Sequence, residues 1–143
     1  MKVKELMVKN VITLRTETSA LEATKLLNKN RIGCLVVVRD GDIEGILTER
    51  DLLERVVEKC RNPKETKISE IMTKDVIVGK PDMELCEATR IMMKNRVKKL
   101  PIVEKSHLVG IVTVTDIARA TDIDKKTIEL VDALSNMHVF QRQ

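Results

Sequence analysis

Lys4 to Leu14 reads KELMVKNVITL, and 65 residues later Ser69 to Gly79 reads SEIMTKDVIVG. The same offset relates EATKLLNKNRI (Glu22 to Ile32) to EATRIMMKNRV (Glu87 to Val97), and GILTERD (Gly45 to Asp51) to GIVTVTD (Gly110 to Asp116). No gap interrupts the register, and about a third of the positions between Val3 and Arg55 match their partners. The chain is therefore a tandem duplication, and repeats are units that bury their faces against neighbours. Whatever one copy forms, the other forms too.

Each copy reads as β-α-β-β-α. Val11 to Thr13 and Val76 to Val78 are short β-rich runs followed by turn chemistry, Thr16 to Ser19 in one copy and Pro81-Asp82 in the other. A helix then starts near Ser19 or Met83, with Ala20, Ala23 and Leu27, or Leu85, Ala88 and Met92, on one apolar face. Cys34 to Val38 and Leu100 to Val103 have strand length, and the first is continuous enough to be buried on both faces. Arg39-Asp-Gly-Asp42 is a hairpin turn in which Gly41 supplies a positive φ. Ile43 to Thr48 and Leu108 to Thr113 are the return strands, followed by helices from Glu49 to about Glu58 and from Val114 or Thr115 to about Ala120.

A unit of about 50 residues cannot cover its own apolar sheet face. The expected fold class is thus α/β (α+β): two β-α-β-β-α repeats packed through their sheets into one body with pseudo-twofold symmetry. The expected boundaries are 1–60 for the first repeat, 61–67 for a linker where Asn62-Pro63 stops the helix, 68–121 for the second repeat and 122–143 for a C-terminal helical extension. In that extension a helix over about Asp124 to Met137 would bury Ile128, Val131 and Leu134, on the core or on a second chain.

Composition narrows the function. With 43% hydrophobic and 34% charged residues and no apolar run near 18, no transmembrane helix is expected, and Lys2, Lys4 and Glu5 interrupt any signal peptide. The expected location is cytoplasmic, with no membrane partner. Cys34, Cys60 and Cys86 are too scattered for a disulfide framework or a zinc site, and His107 and His138 are isolated, so no metal is expected. The net charge of +4 comes from 26 basic and 22 acidic residues interspersed along the chain, the pattern of a solvated surface. Phe140 is the sole aromatic residue, with no Trp and no Tyr, so a base has no ring to stack on. Nucleic acid is not an expected partner, and a bound nucleobase would lie between aliphatic side chains. No nucleophile elbow, phosphate loop or Cys–His constellation is present, so no catalytic residue and no enzymatic activity are expected.

The strongest local signal is Gly-Ile-x-Thr-x-x-Asp, at Gly45 to Asp51 and again at Gly110 to Asp116, where a strand becomes a helix. Thr48 or Thr113 suits an N-cap, and the free N–H groups of the first helical turn suit an anionic oxygen. The carboxylate of Asp51 or Asp116 could accept hydrogen bonds from the vicinal hydroxyls of a ribose. Thr-x-x-Asp is also close to a capping box, in which the Asp serves only the helix start. Recurrence of the motif in both copies with the same Gly and Ile, amid diverged neighbours, favours a ligand role.

The duplicated order, Met7-x-x-x-Val11 and Met72-x-x-x-Val76, Leu100-Pro101-Ile102-Val103 and both Gly-Ile-x-Thr-x-x-Asp motifs together resemble a tandem pair of CBS domains, the regulatory modules named after cystathionine β-synthase and also called a Bateman module. The resemblance spans residues 3–120. It implies that each Asp holds ribose hydroxyls, that the Thr assists with ribose or phosphate, and that adenine enters between the first strand and the hydrophobic second strand, in the cleft between repeats. Carried over, one pocket comprises Ile12, Thr13, Leu35, Thr48 and Asp51, and the other Ile77, Val78, Leu100, Pro101, Thr113 and Asp116; Arg50, Lys98, Lys99 and Thr115 are expected ligand-binding residues beside them. Val36 stands where the pattern has proline, as at Pro101, so the second pocket matches better.

Arg31 and Arg96 occupy equivalent places, Lys98 and Lys99 precede the second apolar strand, and Arg50 and Arg119 lie at the second helices, near where phosphate would emerge. The resemblance therefore implies a sensor of AMP, ADP or ATP, with no resident cofactor. S-adenosylmethionine or methylthioadenosine is the alternative ligand, and an interaction or nucleic-acid-binding module with vestigial pockets is the alternative class. The resemblance also implies a homodimer. With no effector domain in the sequence, such a sensor acts on a separate effector protein.

Overall fold

The computed structural model describes residues 1–120 and 123–137. His138, Phe140 and the end of the 122–143 extension lie outside them. Apolar runs of strand length become strands, and stretches with apolar side chains every three or four residues become helices. A 3-10 turn at Val3–Glu5 leads to β1 (Thr13–Leu14), α1 (Ala20–Asn30), β2 (Cys34–Arg39), β3 (Asp42–Thr48) and α2 (Glu49–Leu52). Then come α3 (Ile68–Ile71), α4 (Leu85–Asn95), β4 (Lys99–Glu104), β5 (His107–Thr113), α5 (Val114–Ala118) and α6 (Lys125–Ser135). The fold is mixed α/β, and the second copy repeats the order of the first apart from its first strand.

The first strands begin later than Val11 and Val76. At both places the chain is still turning, with Val11 N–H donating to Lys9 O and Val76 N–H to Lys74 O, each at 3.1 Å. β1 pairs in parallel with β2 through Thr13 with Val36 and Leu14 with Val37. Its counterpart shrinks to a bridge at Gly79, whose N–H donates to Pro101 O and whose carbonyl accepts from Val103 N–H, both at 2.9 Å. Val76 to Val78 therefore form no ladder.

The hairpins β2–β3 and β4–β5 are closed by two-residue loops with both residues at positive φ, 51° and 86° at Asp40 and Gly41, and 51° and 70° at Lys105 and Ser106. Such loops match the right-handed twist of the flanking strands. Ser19 caps α1 by accepting from Glu22 N–H at 3.1 Å. α1 and α4 both end on a left-handed arginine, Arg31 at φ 52° and Arg96 at φ 55°. The helix expected to run from Glu49 to Glu58 changes character midway, α2 passing into a π-helical turn over Leu53–Val57.

The compact units do not coincide with the sequence copies. One comprises Ile12–Val76, and the other joins Met1–Val11 to the described residues 77–120 and 123–137. In the first unit, Ile68, Ile71 and Met72 complete a core with Leu14, Ala20, Ala23, Leu27, Leu35 and Leu47. Thr73 pairs with Ile46, the N–H of each donating to the carbonyl of the other at 2.9 and 2.8 Å. In the second unit Val3 is fully buried against α4, and Val8 pairs with Ile111 at 2.9 Å in both directions. The segment that opens each copy thus completes the hairpin of the other copy.

α6 packs on the core of the second unit, where Val131 and Leu134 join Leu85, Ala88, Met92 and Ile117. Ile128, expected on this face, is 44% exposed, and Thr127 is buried instead. Asp124 caps the helix by accepting from Thr127 N–H at 2.7 Å, and the buried stripe then runs 127, 131, 134, one position away from Ile128. No helix is long and apolar enough to cross a membrane among the described residues.

Candidate functional site

Each strand-to-helix junction is built the same way. Thr48 and Thr113 are N-caps with extended backbone, and their Oγ1 atoms accept from the N–H of Asp51 and Asp116 at 3.1 Å. In return one carboxylate oxygen of each Asp, Oδ2, accepts from the Thr N–H at 3.0 Å. Both motifs are reciprocal capping boxes, so half of each carboxylate is committed to starting its helix. The N–H groups of Glu49 and Val114 are committed too, donating to Gly33 O and Lys98 O at 3.0 Å. Of the first-turn N–H groups expected to be open to an anion, those of Glu49, Asp51, Val114 and Asp116 are therefore used by the chain itself.

The other carboxylate oxygen distinguishes the motifs. Asp51 is 2% exposed, and its Oδ1 accepts from Thr73 Oγ1 at 3.1 Å with Arg55 Nη1 3.8 Å away. Burial holds the Asp51 carboxyl above the usual carboxylate range, against the opposing pull of Thr48 N–H, Arg55 and Thr73. Asp116 is only partly buried, and among the described residues Thr113 alone bonds to it. The positions equivalent to Thr73 and Arg55 are Val8 and Ala120, neither of which has a side-chain donor.

In the second unit the predicted residues of β4 pair with the strand that leads to Asp116. Lys99 pairs with Thr113, Leu100 with Val112 and Pro101 with Ile111. Lys98 and Lys99 are partly exposed at the start of β4, whereas Leu100 and Pro101 are buried. The Gly79 bridge lays Val78, 40% exposed, beside Pro101, with Ile77 partly buried before it. Thr115 is exposed on the first turn of α5. In the first unit, Cys34 pairs with Thr48 and Leu35 with Leu47, and Leu35 and Val36 are buried in the sheet. Ile12 and Thr13 are exposed, and Arg50 is exposed 4.0 Å from Glu54. Arg31, Arg96 and Arg119 are exposed helix C-caps.

A cavity of about 420 Å³ opens at the far end of the β2–β3 hairpin, lined by Arg15, Thr16, Glu17, Val38, Arg39, Asp40 and Gly41. It contains none of the predicted site residues. Among the described residues no group of three or more His, Cys, Asp or Glu could hold a metal ion. Thr73 and Arg55 were missed in the sequence, although the repeat alignment held the signal: two positions where one copy has a donor beside the motif and the other does not.

A family model for the CBS domain matches residues 3–58 and 68–122. The CBS domain-containing protein YhcV of Bacillus subtilis is 34% identical over 116 residues, which is 81% of this chain and 82% of that protein. Inosine-5'-monophosphate dehydrogenase of Methanocaldococcus jannaschii is 36% identical over 148 residues, 99% of this chain but 29% of the enzyme. The crystal structure of a conserved CBS domain protein from Thermoplasma acidophilum superimposes with a TM-score of 0.78 at 27% identity, covering 98% of this chain and 79% of that one. Tandem CBS pairs are generally regulatory modules that bind adenosine-containing ligands.

Proposed function

The chain belongs to the CBS domain family, and from that membership we propose that it is a regulatory module binding an adenosine nucleotide, AMP, ADP or ATP, at the second Thr-x-x-Asp motif. The observation that carries this reading is the partly exposed Asp116, whose Oδ2 is fixed by Thr113 while Oδ1 takes no hydrogen bond from a described residue. A carboxylate held on one side and open on the other suits a ribose diol, with charge-assisted bonds to its hydroxyls.

The surroundings fit the rest of such a ligand. Val78 offers an exposed aliphatic surface beside Pro101 for the base, and Lys98 and Lys99 supply cations for phosphate in the register that pairs Lys99 with Thr113. Lysine binds phosphate as a point charge, and a partly exposed site of this kind weakens with salt. The module has no catalytic role in this reading. It works in the cytoplasm as a homodimer and passes ligand occupancy to a separate effector protein.

Calorimetry with AMP, ADP, ATP, adenosine, S-adenosylmethionine and methylthioadenosine tests the reading. Asp116→Ala should weaken the nucleotide by roughly 1.5–3 kcal/mol through lost charge-assisted hydrogen bonds. Lys98→Ala with Lys99→Ala should weaken nucleotides but not adenosine. A preference for S-adenosylmethionine or methylthioadenosine overturns the phosphate assignment. Absence of binding and of any thermal shift at millimolar ligand overturns the nucleoside reading, since a ligand at 100 times Kd stabilises by about 2.7 kcal/mol.

A further inference from the structure

We propose that the first Thr-x-x-Asp motif is closed by the chain's own Thr73 and Arg55, so that the protein takes one ribonucleoside per chain, at the second motif. This rests on the reading of Thr-x-x-Asp as a ribose site and adds its stoichiometry and the residues that set it.

Thr73 Oγ1 is an aliphatic hydroxyl donating to Asp51 Oδ1 at 3.1 Å, the bond a ribose hydroxyl would make. Arg55 stands across the same oxygen at 3.8 Å and is itself anchored, its Nη1 donating to Ile71 O at 2.8 Å and Met72 O at 3.0 Å. Both carboxylate oxygens of Asp51 are thus engaged, Oδ2 by Thr48 N–H and Oδ1 by Thr73, and the residue is 2% exposed. A ribose would have to displace an internal, part-buried hydroxyl from its bond to Asp51, which is unfavourable.

The second unit makes the closure a matter of side chains. Val8 holds the same backbone pairing to Ile111 that Thr73 holds to Ile46, with N···O distances of 2.8–2.9 Å throughout. Only the side chain differs, an isopropyl group in place of a hydroxyl donor. Arg55 is carried by the π-helical turn, whereas α5 ends at Ala118 and the equivalent Ala120 lies beyond it. One junction is thus closed by Thr73 and Arg55 and the other left open, on a backbone that the two units share at the pairing of Thr73 and Val8 but not at positions 55 and 120.

Exchanging the two pairs tests this, with AMP and ATP as probes and calorimetric stoichiometry as the readout on the full chain. The parent should bind one nucleotide per chain. Val8→Thr with Ala120→Arg should weaken binding at least tenfold without lowering the melting temperature, and Val8→Thr alone should do so partially. Thr73→Val with Arg55→Ala should add a second binding event, raising the stoichiometry to two. A parent stoichiometry of two, or nucleotide affinity unchanged in a folded Val8→Thr/Ala120→Arg variant, overturns the closure while leaving the ribose reading intact. A parent that binds neither nucleotide overturns the ribose reading itself.

Discussion

Gly110 has no room for a β-carbon because Met7 fills the place: such an atom would lie 2.6 Å from Met7 Sδ and 2.9 Å from its Cγ. The reciprocal pair is Gly45 with Met72, where a β-carbon would meet Sδ at 2.8 Å and Thr73 O at 2.7 Å. Each methionine comes from the opening segment of one copy and packs on the motif glycine of the other. Recurrence of that glycine in both motifs therefore has a packing cause and says nothing in itself about a ligand.

The two glycines should respond differently to alanine. At Gly45 the obstacle includes a backbone carbonyl, so Gly45→Ala should cost about 1–3 kcal/mol whatever stands at position 72. At Gly110 the nearest atoms belong to a flexible side chain, so Gly110→Ala should cost less, and its cost should shrink further in a Met7→Ala background. Urea unfolding of the two double-mutant cycles measures this. Equal costs with no coupling at either site would contradict the packing described.

Asp51 should give an unusual pH signature. Its carboxyl is raised by burial, so the native state holds the proton more tightly than the unfolded chain. That contribution is full below the ordinary value of 3.8 and is lost as pH rises through the folded value. Asp51→Asn lacks the loss, so its stability relative to the parent should improve as pH rises from about 4 towards 7. Denaturant midpoints of the pair across that range test the sign, and a gap that widens against the variant would refute it.

The β4–β5 loop holds Lys105 and Ser106 at positive φ, where the first hairpin uses Asp40 and Gly41. Left-handed geometry costs most residues roughly 1–2 kcal/mol and glycine far less. Lys105→Asn with Ser106→Gly should therefore stabilise the protein by about 1 kcal/mol or more, read as a higher melting temperature. The same glycine exchange at Asp40 should gain less, since Asp tolerates this region better.

The opening segment of the second unit should loosen in acid. Lys4 Nζ lies 2.8 Å from Asp82 and Lys2 Nζ 2.9 Å from Glu84, and these hydrogen bonds and charges lower both carboxyls. Groups lowered by folding stabilise it above their ordinary values, 3.8 and 4.5, and that contribution is lost as pH falls through the folded ones. Amide exchange at Val3 and Lys4, corrected for intrinsic rates, should quicken on going below about pH 4 and, because the pairs are exposed, at high salt. Protection that is independent of both would show that the backbone bonds from Val3 N–H to Met83 O at 2.8 Å and from Lys4 N–H to Pro81 O at 2.9 Å hold the segment without the ion pairs.

Much of this was legible because periodicity reports local structure. The strands from Cys34 and Leu100, the Asp40-Gly41 turn and the Ser19 cap follow from patterns a few residues long. Ile128 is expected beside Val131 and Leu134 because it is apolar and three positions before Val131; the structure buries Thr127 instead, four positions before Val131, with its N–H donated to the Asp124 cap. The exchange of opening segments escaped for a deeper reason: two copies with one pattern fit either partner equally well, and only tertiary packing chooses. The candidate site was half legible. Its Thr and Asp were found by recurrence, but what seals Asp51 lies at positions 55 and 73, where the copies differ.

The pairing of Val3 with Met83 and of Val8 with Ile111 also bears on the order of assembly. On the ribosome Val3 and Val8 emerge long before their partners, and contacts of such sequence separation form slowly. Residues 12–76 have their own closing segment in hand once Thr73 is made, whereas Val3 and Val8 must wait for Met83 and Ile111. During that interval the apolar side chains of Val3, Leu6 and Met7 are the exposed surface for chaperones to shield, and a slow annealing step at this segment is where misassembly between neighbouring chains would begin.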